Sequence, residues 1–222
     1  MIECAVFDLD GTLLDTLGDL HAAVNHALHA FGKPLRTQEE VRSMIGDGVA
    51  KLISRALPQD AQQLCAPALE RFKEYYEGHI CERTRPYPGI KRLLEELRAR
   101  GVKTAVLTNK HERAARLLID EFYPGLFNEV RGGREGCRLK PFPDALTELV
   151  ASAGATAENA AMIGDSANDM LTAKAAGTHA LGVAWGFRPA EELWQNGAEA
   201  VAENAEELLQ TLLVGAVLRQ GG

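Results

Sequence analysis

No apolar run in the 222 residues approaches the roughly 18 residues that a membrane span needs. Basic charge is short: 24 Lys and Arg face 31 Asp and Glu, and a net charge of -7 argues against a nucleic-acid duplex or an anionic lipid surface as partner. Cysteine is sparse as well. Cys4, Cys65, Cys81 and Cys137 lie far apart and form no CxxC pair, so neither a disulfide framework nor a thiolate zinc site is expected. The opening "MIECAVFDLD" lacks the basic head and long apolar stretch of a signal peptide. No internal repeat or low-complexity tract is visible. The Gly-rich "RGGREG" (131–136) lacks the strand-GxGxxG-helix context of a dinucleotide site. These absences predict a globular protein of the cytoplasm with no nucleic acid or membrane as partner, and leave monomer and homodimer both open.

Against that background four short apolar runs stand out: "CAVF" before Asp8, "KTAVLTN" ending at Asn109, "AAMIGD" ending at Asp165 and "HALGVAWG" ending at Gly186. A fifth, "AEAVAE", lies near the C-terminus, and there is room for a helix and a short strand between Asn109 and Lys140. Runs apolar on both faces and separated by helical patterns predict a parallel sheet covered by helices on both sides. Those patterns are "PGIKRLLEELRARG", "ERAARLLIDEF", "PDALTELVASAG", "ANDMLTAKAAG" and "NAEELLQTLLVGAVL", with Pro in the first turn of two and Gly closing several.

Residues 15–85 read differently, with helical patterns and no strand-like run. In "LGDLHAAVNHALHAFG", Leu17, Leu20, Val24, Leu28 and Phe31 share a face, while His26 and His29 fall on the polar side, so these histidines read as solvated rather than metal-binding. Thr37 and Glu40 have capping-box spacing. Some 70 helical residues exceed what a crossover between parallel strands needs. The expected organisation is a core of residues 1–14 and 86–222 carrying an all-helical insert of residues 15–85 after the first strand.

Ligands of an open parallel sheet bind beyond the carboxyl ends of its strands. Asp8-Leu9-Asp10, Thr108-Asn109-Lys110 and Gly164-Asp165-Ser166 therefore converge on one crevice, and Asp169 stands in or beside the first turn of the next helix. Up to four carboxylates gather there. Two unit charges 4 Å apart repel by about 4 kcal/mol at an effective dielectric near 20, so the cluster needs a cation. Oxygen-only ligands without histidine favour a hard ion, Mg²⁺ first. Each ending alone could be a helix cap or turn, but three on one sheet, one of them a pair of aspartates, point to a site.

In order and spacing, "DLDGTLLDT", "LTNK", "KPFPD" and "GDSANDM" resemble the haloacid dehalogenase superfamily in its phosphatase branch, over nearly the whole chain from about Ile2 to Leu213. The resemblance implies a Rossmann-like, doubly wound core with a helical cap, and Mg²⁺-dependent phosphoryl transfer through an aspartyl phosphate. Asp8 matches the nucleophile, and Asp10 the general acid and base. Asp8, the backbone carbonyl of Asp10 and Asp165 match the metal ligands, with Asp169 and Ser166 behind them. Thr108 and the Asn109 amide match the phosphoryl-binding positions, and Lys140 the cation that offsets charge on nucleophile and phosphoryl group. Asp10 favours ester hydrolysis, since a dehalogenase proper lacks an acid/base there. A non-catalytic relative that keeps the fold is expected to lack Asp8, Asp10, Lys140 or Asp165, and all four are present.

"MIGDGVAKLISRAL" in the insert and "TNK" are similar to phosphoglycolate phosphatases, which implies a small phosphorylated metabolite, 2-phosphoglycolate, as substrate. Asp47, Gly48, Lys51 and Arg55 are the candidate specificity residues of the cap, with Lys51 or Arg55 expected to meet the substrate's far end. Other members sharing these motifs are pyrophosphatases, sugar-phosphate and nucleotide phosphatases and β-phosphoglucomutase. Phosphonoacetaldehyde hydrolase uses a cap lysine, but the sequence around Lys51 does not match it. "WGFRP" (185–189) resembles the family's aromatic-Gly turn and equally reads as a plain turn. Cys4 reads as a small core residue, and "AEELLQTLL" as an amphipathic closing helix.

Overall fold

All four residues of β1 (Cys4–Phe7) are buried and apolar, as a strand covered on both faces requires. In a computed structural model, which describes residues 2–214, this strand lies at the centre of a six-stranded parallel sheet. Its neighbours are β4 (Lys103–His111) and β6 (Ala160–Gly164). Beyond β4 lies β5 (Glu129–Gly133), the short strand expected between Asn109 and Lys140, and beyond β6 lie β7 (His179–Val183) and β8 (Ala200–Ala202). The chain winds outward from β1 in one direction and then returns to wind in the other, which makes β1 the switch point.

Alternation along the strands divides the core in two. Ala5, Phe7, Val106, Ile163 and Leu181 face α5 (Ile90–Ala99), α6 (Glu112–Phe122) and α10 (Ala205–Val214). Cys4, Val6, Ala105, Leu107 and Met162 face α7 (Asp144–Ser152), α8 (Ala167–Ala176) and α9 (Ala190–Gln195). In α5, Leu93, Leu94 and Leu97 recur at helical spacing and are all buried, so truncating Leu94 to Ala should destabilise by about 2–5 kcal/mol. Helix α5 begins after Gly89, which caps it at φ +82°, so Pro88 precedes the helix instead of opening it. The strand expected to run to Gly186 stops at Val183, where the chain turns toward the centre of the sheet. The closing helix is seen to Val214, and its expected continuation over 215–218 lies outside the described residues.

Between β1 and β4 the chain makes a two-stranded antiparallel ribbon from β2 (Leu14–Asp15) and β3 (Arg85–Pro86). Between those strands lie α1 (Leu17–Ala30), α2 (Gln38–Met44), α3 (Val49–Ala56), a short 3₁₀ turn and α4 (Cys65–His79). In α2 the Thr37–Glu40 capping box forms, Thr37 N–H donating to Glu40 Oε2 at 2.7 Å and Glu40 N–H to Thr37 Oγ1 at 3.2 Å. The returning chain is fixed by buried Asp19, whose carboxylate accepts from Arg83 N–H, Thr84 N–H and Thr84 Oγ1 at 2.7–3.1 Å. His26 and His29 are exposed, and no histidine joins a potential metal cluster among the described residues.

Candidate active site

Strand register sets the site. Phe7 stands opposite both Val106 and Ile163, so Asp8 lies level with Leu107 and Gly164, and Thr108 and Asp165 follow one residue on at the same end of the sheet. Asp8, Asp165 and Asp169 each offer an oxygen within 4.8 Å of the other two. Glycines let these groups close up. A Cβ on Gly11, where φ is +84°, would stand 2.2 Å from Asp165 Oδ2, and one on Gly186 would stand 2.2 Å from Asp165 Cβ. Thr12 Oγ1 donates to Asp165 Oδ1 at 3.2 Å and Phe187 N–H to its Oδ2 at 2.7 Å. Trp185 Nε1 donates to the Thr12 carbonyl at 3.0 Å. "WGFRP" is thus more than a plain turn: it fastens the loop after β1 and orients Asp165.

Lys140 stands between two carboxylates, its Nζ 2.9 Å from Asp8 Oδ1 and 2.6 Å from Asp169 Oδ1. Asp169 is fully buried, and its other oxygen accepts from Ser166 N–H at 3.1 Å and Ser166 Oγ at 2.7 Å. Burial drives the Asp8 carboxyl upward, against the pull of Lys140 and with further push from Asp169. Burial likewise pushes Asp165 up to about 8, aided by repulsion from Asp8 and Asp169 and opposed by Phe187 N–H and Thr12. Burial works against the Lys140 ammonium, but Asp169 and Asp8 outweigh it and leave its pKa raised. Asp8 Oδ1 is buried with no hydrogen bond of good geometry. A buried trio of carboxylate oxygens with one lysine to offset them matches the needs of a hard divalent cation.

Asp10 departs from the expected cluster of four. Its carboxylate turns away from the trio, accepts from Thr16 Oγ1 at 2.7 Å, and lies 2.9 and 3.2 Å from Lys110 Nζ. The two aspartates of "DLD" therefore occupy different surroundings, one among carboxylates and Lys140, the other against Lys110. Lys110 itself is buried, and its Nζ lies 4.9 Å above the Tyr76 ring. Burial lowers its pKa, but Asp10 reverses the effect, and the net direction is upward.

These groups open into a cavity of about 210 Å³, whose lining includes Asp8, Asp10, Thr108, Asn109, Lys110 and Tyr76. Its far wall comes from the helical segment, through Gly46, Gly48, Leu52 and Phe72 among others. The size is below the roughly 300–1,000 Å³ of pockets for drug-sized ligands, and suits a small molecule.

The family profile of the haloacid dehalogenase-like hydrolases matches residues 5–183. The chain belongs to that family. Among its relatives is the phosphoglycolate phosphatase of Vibrio parahaemolyticus, 34% identical, the match covering 97% of this chain and 98% of that one. Phosphoglycolate phosphatase 1 of Pseudomonas aeruginosa is 37% identical, with 92% and 77% covered. The crystal structure of a predicted phosphoglycolate phosphatase from Haemophilus somnus 129PT superposes with a TM-score of 0.86 at 28% identity, covering 94% and 97%. This haloacid dehalogenase-like hydrolase is accordingly an enzyme of the phosphatase class.

In this hydrolase the Gly46-Asp47-Gly48 turn reaches the core, as expected of a segment dipping toward the crevice. Asn109 Nδ2 donates to the Gly46 carbonyl at 2.9 Å and to the Lys140 carbonyl at 3.1 Å, while its Oδ1 accepts from Lys140 N–H at 2.8 Å. Asn168 Nδ2 donates to Asp47 Oδ1 at 3.0 Å. Lys51 and Arg55 are not brought to the cavity. Arg55 turns back to pair with Asp47 and to donate to the Met44 carbonyl, and exposed Lys51 lies outside the lining, because the face of α3 toward the interior is Leu52, Ile53 and Ala56. Two basic residues were given no role by the sequence reading. Arg188 donates to the carbonyls of Arg42, Ser43 and Ile45 at 2.6–3.1 Å and so caps the end of α2 from the core side. Lys110 was placed at the crevice with Thr108 and Asn109 but was given no role there. The signal for it was present in "LTNK": a cation two residues beyond Thr108 emerges on the same face of the sheet.

Proposed function

We propose that this enzyme is an Mg²⁺-dependent phosphatase of a small phosphomonoester, 2-phosphoglycolate first, and that it works through an aspartyl phosphate on Asp8. The observation that carries the reading is the division of the paired aspartates, Asp8 against Lys140 at 2.9 Å and Asp10 turned into the cavity beside Lys110. One carboxylate is aligned for nucleophilic work and the other for proton transfer. The curated relatives named for phosphoglycolate support the choice of substrate.

On this reading a carboxylate oxygen of Asp8 attacks phosphorus, and the bond from phosphorus to the ester oxygen breaks. Asp10 gives its proton to the departing alkoxide. It then takes a proton from the water that attacks the aspartyl phosphate, which frees inorganic phosphate and restores the Asp8 carboxylate. Thr108 and the Asn109 amide bind phosphoryl oxygens, and Lys140 balances negative charge on Asp8 and the phosphoryl group. Asp8, the Asp10 carbonyl and Asp165 would hold Mg²⁺, with Asp169 and Ser166 supporting them. When bound, that ion supplies the positive charge that lets a phosphate approach a carboxylate cluster. Residues 15–85 act as a cap over a core of 1–14 and 86–222, and their walls exclude bulk water from the reacting atoms. The cell compartment is the cytoplasm.

Steady-state kinetics with Mg²⁺ across 2-phosphoglycolate, sugar phosphates, nucleotides and pyrophosphate test the reading. Turnover should vanish in excess chelator, return with Mg²⁺ and fall when millimolar Ca²⁺ competes, since Ca²⁺ prefers more ligands at longer distances. Full turnover in chelator would overturn the metal. A sugar phosphate or pyrophosphate outrunning 2-phosphoglycolate would overturn the substrate.

A further inference from the structure

Four Lys and Arg residues line the cavity: Lys73, Lys110, Arg113 and Arg188. Lys73 pairs with Glu70 on the outside of α4, and Arg113, 71% exposed, reaches toward Glu77. Arg188 is engaged with backbone carbonyls of the α2 end. Lys110 alone of these is buried, and it stands directly against Asp10. Taking an ammonium out of water costs several kcal/mol. Asp10 has no need of it for orientation, because Thr16 Oγ1 already holds the same carboxylate at 2.7 Å. An ammonium has three donors, and Nζ makes hydrogen bonds only to the two oxygens of Asp10 among the described residues. Tyr76 flanks Nζ, whose distance to the ring is 4.9 Å, and both residues line the cavity.

We infer that Lys110 is a specificity residue that binds an anionic group on the leaving half of the substrate. The inference rests on the reading above, in which Asp10 meets the leaving oxygen. A carboxylate one carbon away from that oxygen lies within reach of an ammonium 2.9 Å from Asp10. The substrate class so defined is the phosphate esters of small 2-hydroxy acids. Leu20, Leu52, Phe72 and Ile80 on the surrounding wall accept a hydrogen or a methyl group on the ester carbon. Neutral alcohols offer the ammonium no anion beyond Asp10, and amino alcohols are repelled by it. Two buried lysines thus divide the work, Lys140 at the phosphoryl end and Lys110 at the carboxylate end.

The test compares kcat/KM for 2-phosphoglycolate with that for ethyl phosphate, in which a methyl group replaces the carboxylate, both with saturating Mg²⁺. The wild-type protein should prefer the carboxylated ester by about a hundredfold or more. Lys110→Met should reduce that preference to below about tenfold, mostly by slowing the carboxylated ester, and Lys110→Arg should restore part of it. Equal losses on both esters in Lys110→Met would mean that the lysine acts only through Asp10 and would overturn the inference. A full preference surviving in Lys110→Met would also overturn it while leaving 2-phosphoglycolate standing as substrate. Absence of any preference in the wild-type protein would remove both. Should Lys110→Met fail to fold by circular dichroism, the methyl ester of 2-phosphoglycolate decides with wild-type protein alone: turnover equal to that of the free acid overturns the inference, and a large deficit supports it.

Discussion

At the scale of single residues, the site is a problem of charge without water. Asp8→Asn keeps shape and removes the nucleophilic carboxylate, so turnover should fall by about 10⁴-fold or more, equivalent to about 5 kcal/mol of barrier; kcat of the purified, Mg²⁺-saturated variant is the measurement. Asp165 gives a second expectation, of opposite sign to ordinary salt-bridged carboxylates. Its folded pKa is about 8 against an ordinary 3.8. Between those values the folded protein holds a proton that the unfolded chain has released, so stability is greatest below the lower value and is lost as pH rises toward 8. Thermal midpoints of chelator-treated protein from about pH 5 to pH 8 should therefore decline more steeply in the wild type than in Asp165→Asn. Parallel curves would contradict the cause given for the shift. The carboxylates themselves were legible as residues, since acid at a strand end is conspicuous. Their orientations were not. Nothing local to "DLD" says that the second carboxylate turns from the first, because the groups that turn it are Thr16 and a lysine a hundred positions away.

Elements follow more directly from sequence. Buried strands announce themselves by apolar runs, and β1, β4 and β6 stand where those runs lie. The α2 capping box was readable from a spacing of three, and Thr37→Ala should cost about 1 kcal/mol, measurable in a urea titration. The ribbon of β2 and β3 left no local signal, because two residues per strand carry no periodicity, and its pairing joins positions 70 apart. Asp19 escaped for the same reason. An acidic residue in the first turn of a helix reads as a favourable partner of the helix dipole, yet this one is buried and gathers three donors from the returning strand. Asp19→Ala strands those donors and should destabilise by about 3 kcal/mol, far more than loss of a surface acid. A change below about 0.5 kcal/mol in chemical denaturation would show that water replaces the carboxylate freely.

For the molecule as a whole, the core sheet was predictable as an architecture because doubly wound folds follow from alternating elements. What the helical segment does over the crevice was not, since Arg188, Asn109 and Asn168 reach it across separations of 63 to 146 positions. Arg188→Ala removes three donors from the end of α2. Substrate protection against hydrogen exchange in residues 41–48 should weaken in that variant, with KM for 2-phosphoglycolate rising several-fold, and unchanged exchange would place the contact outside the working cycle. The ribbon has a consequence of another kind. Because β2 and β3 pair side by side, the chain leaves the sheet and re-enters it at almost the same point. Insertions or deletions between Thr16 and Thr84 therefore leave the spacing of Asp8, Thr108, Lys140 and Asp165 untouched. Over generations, the length and lining of that segment are free to drift with the diet of available esters, while the phosphoryl chemistry beneath is inherited unchanged.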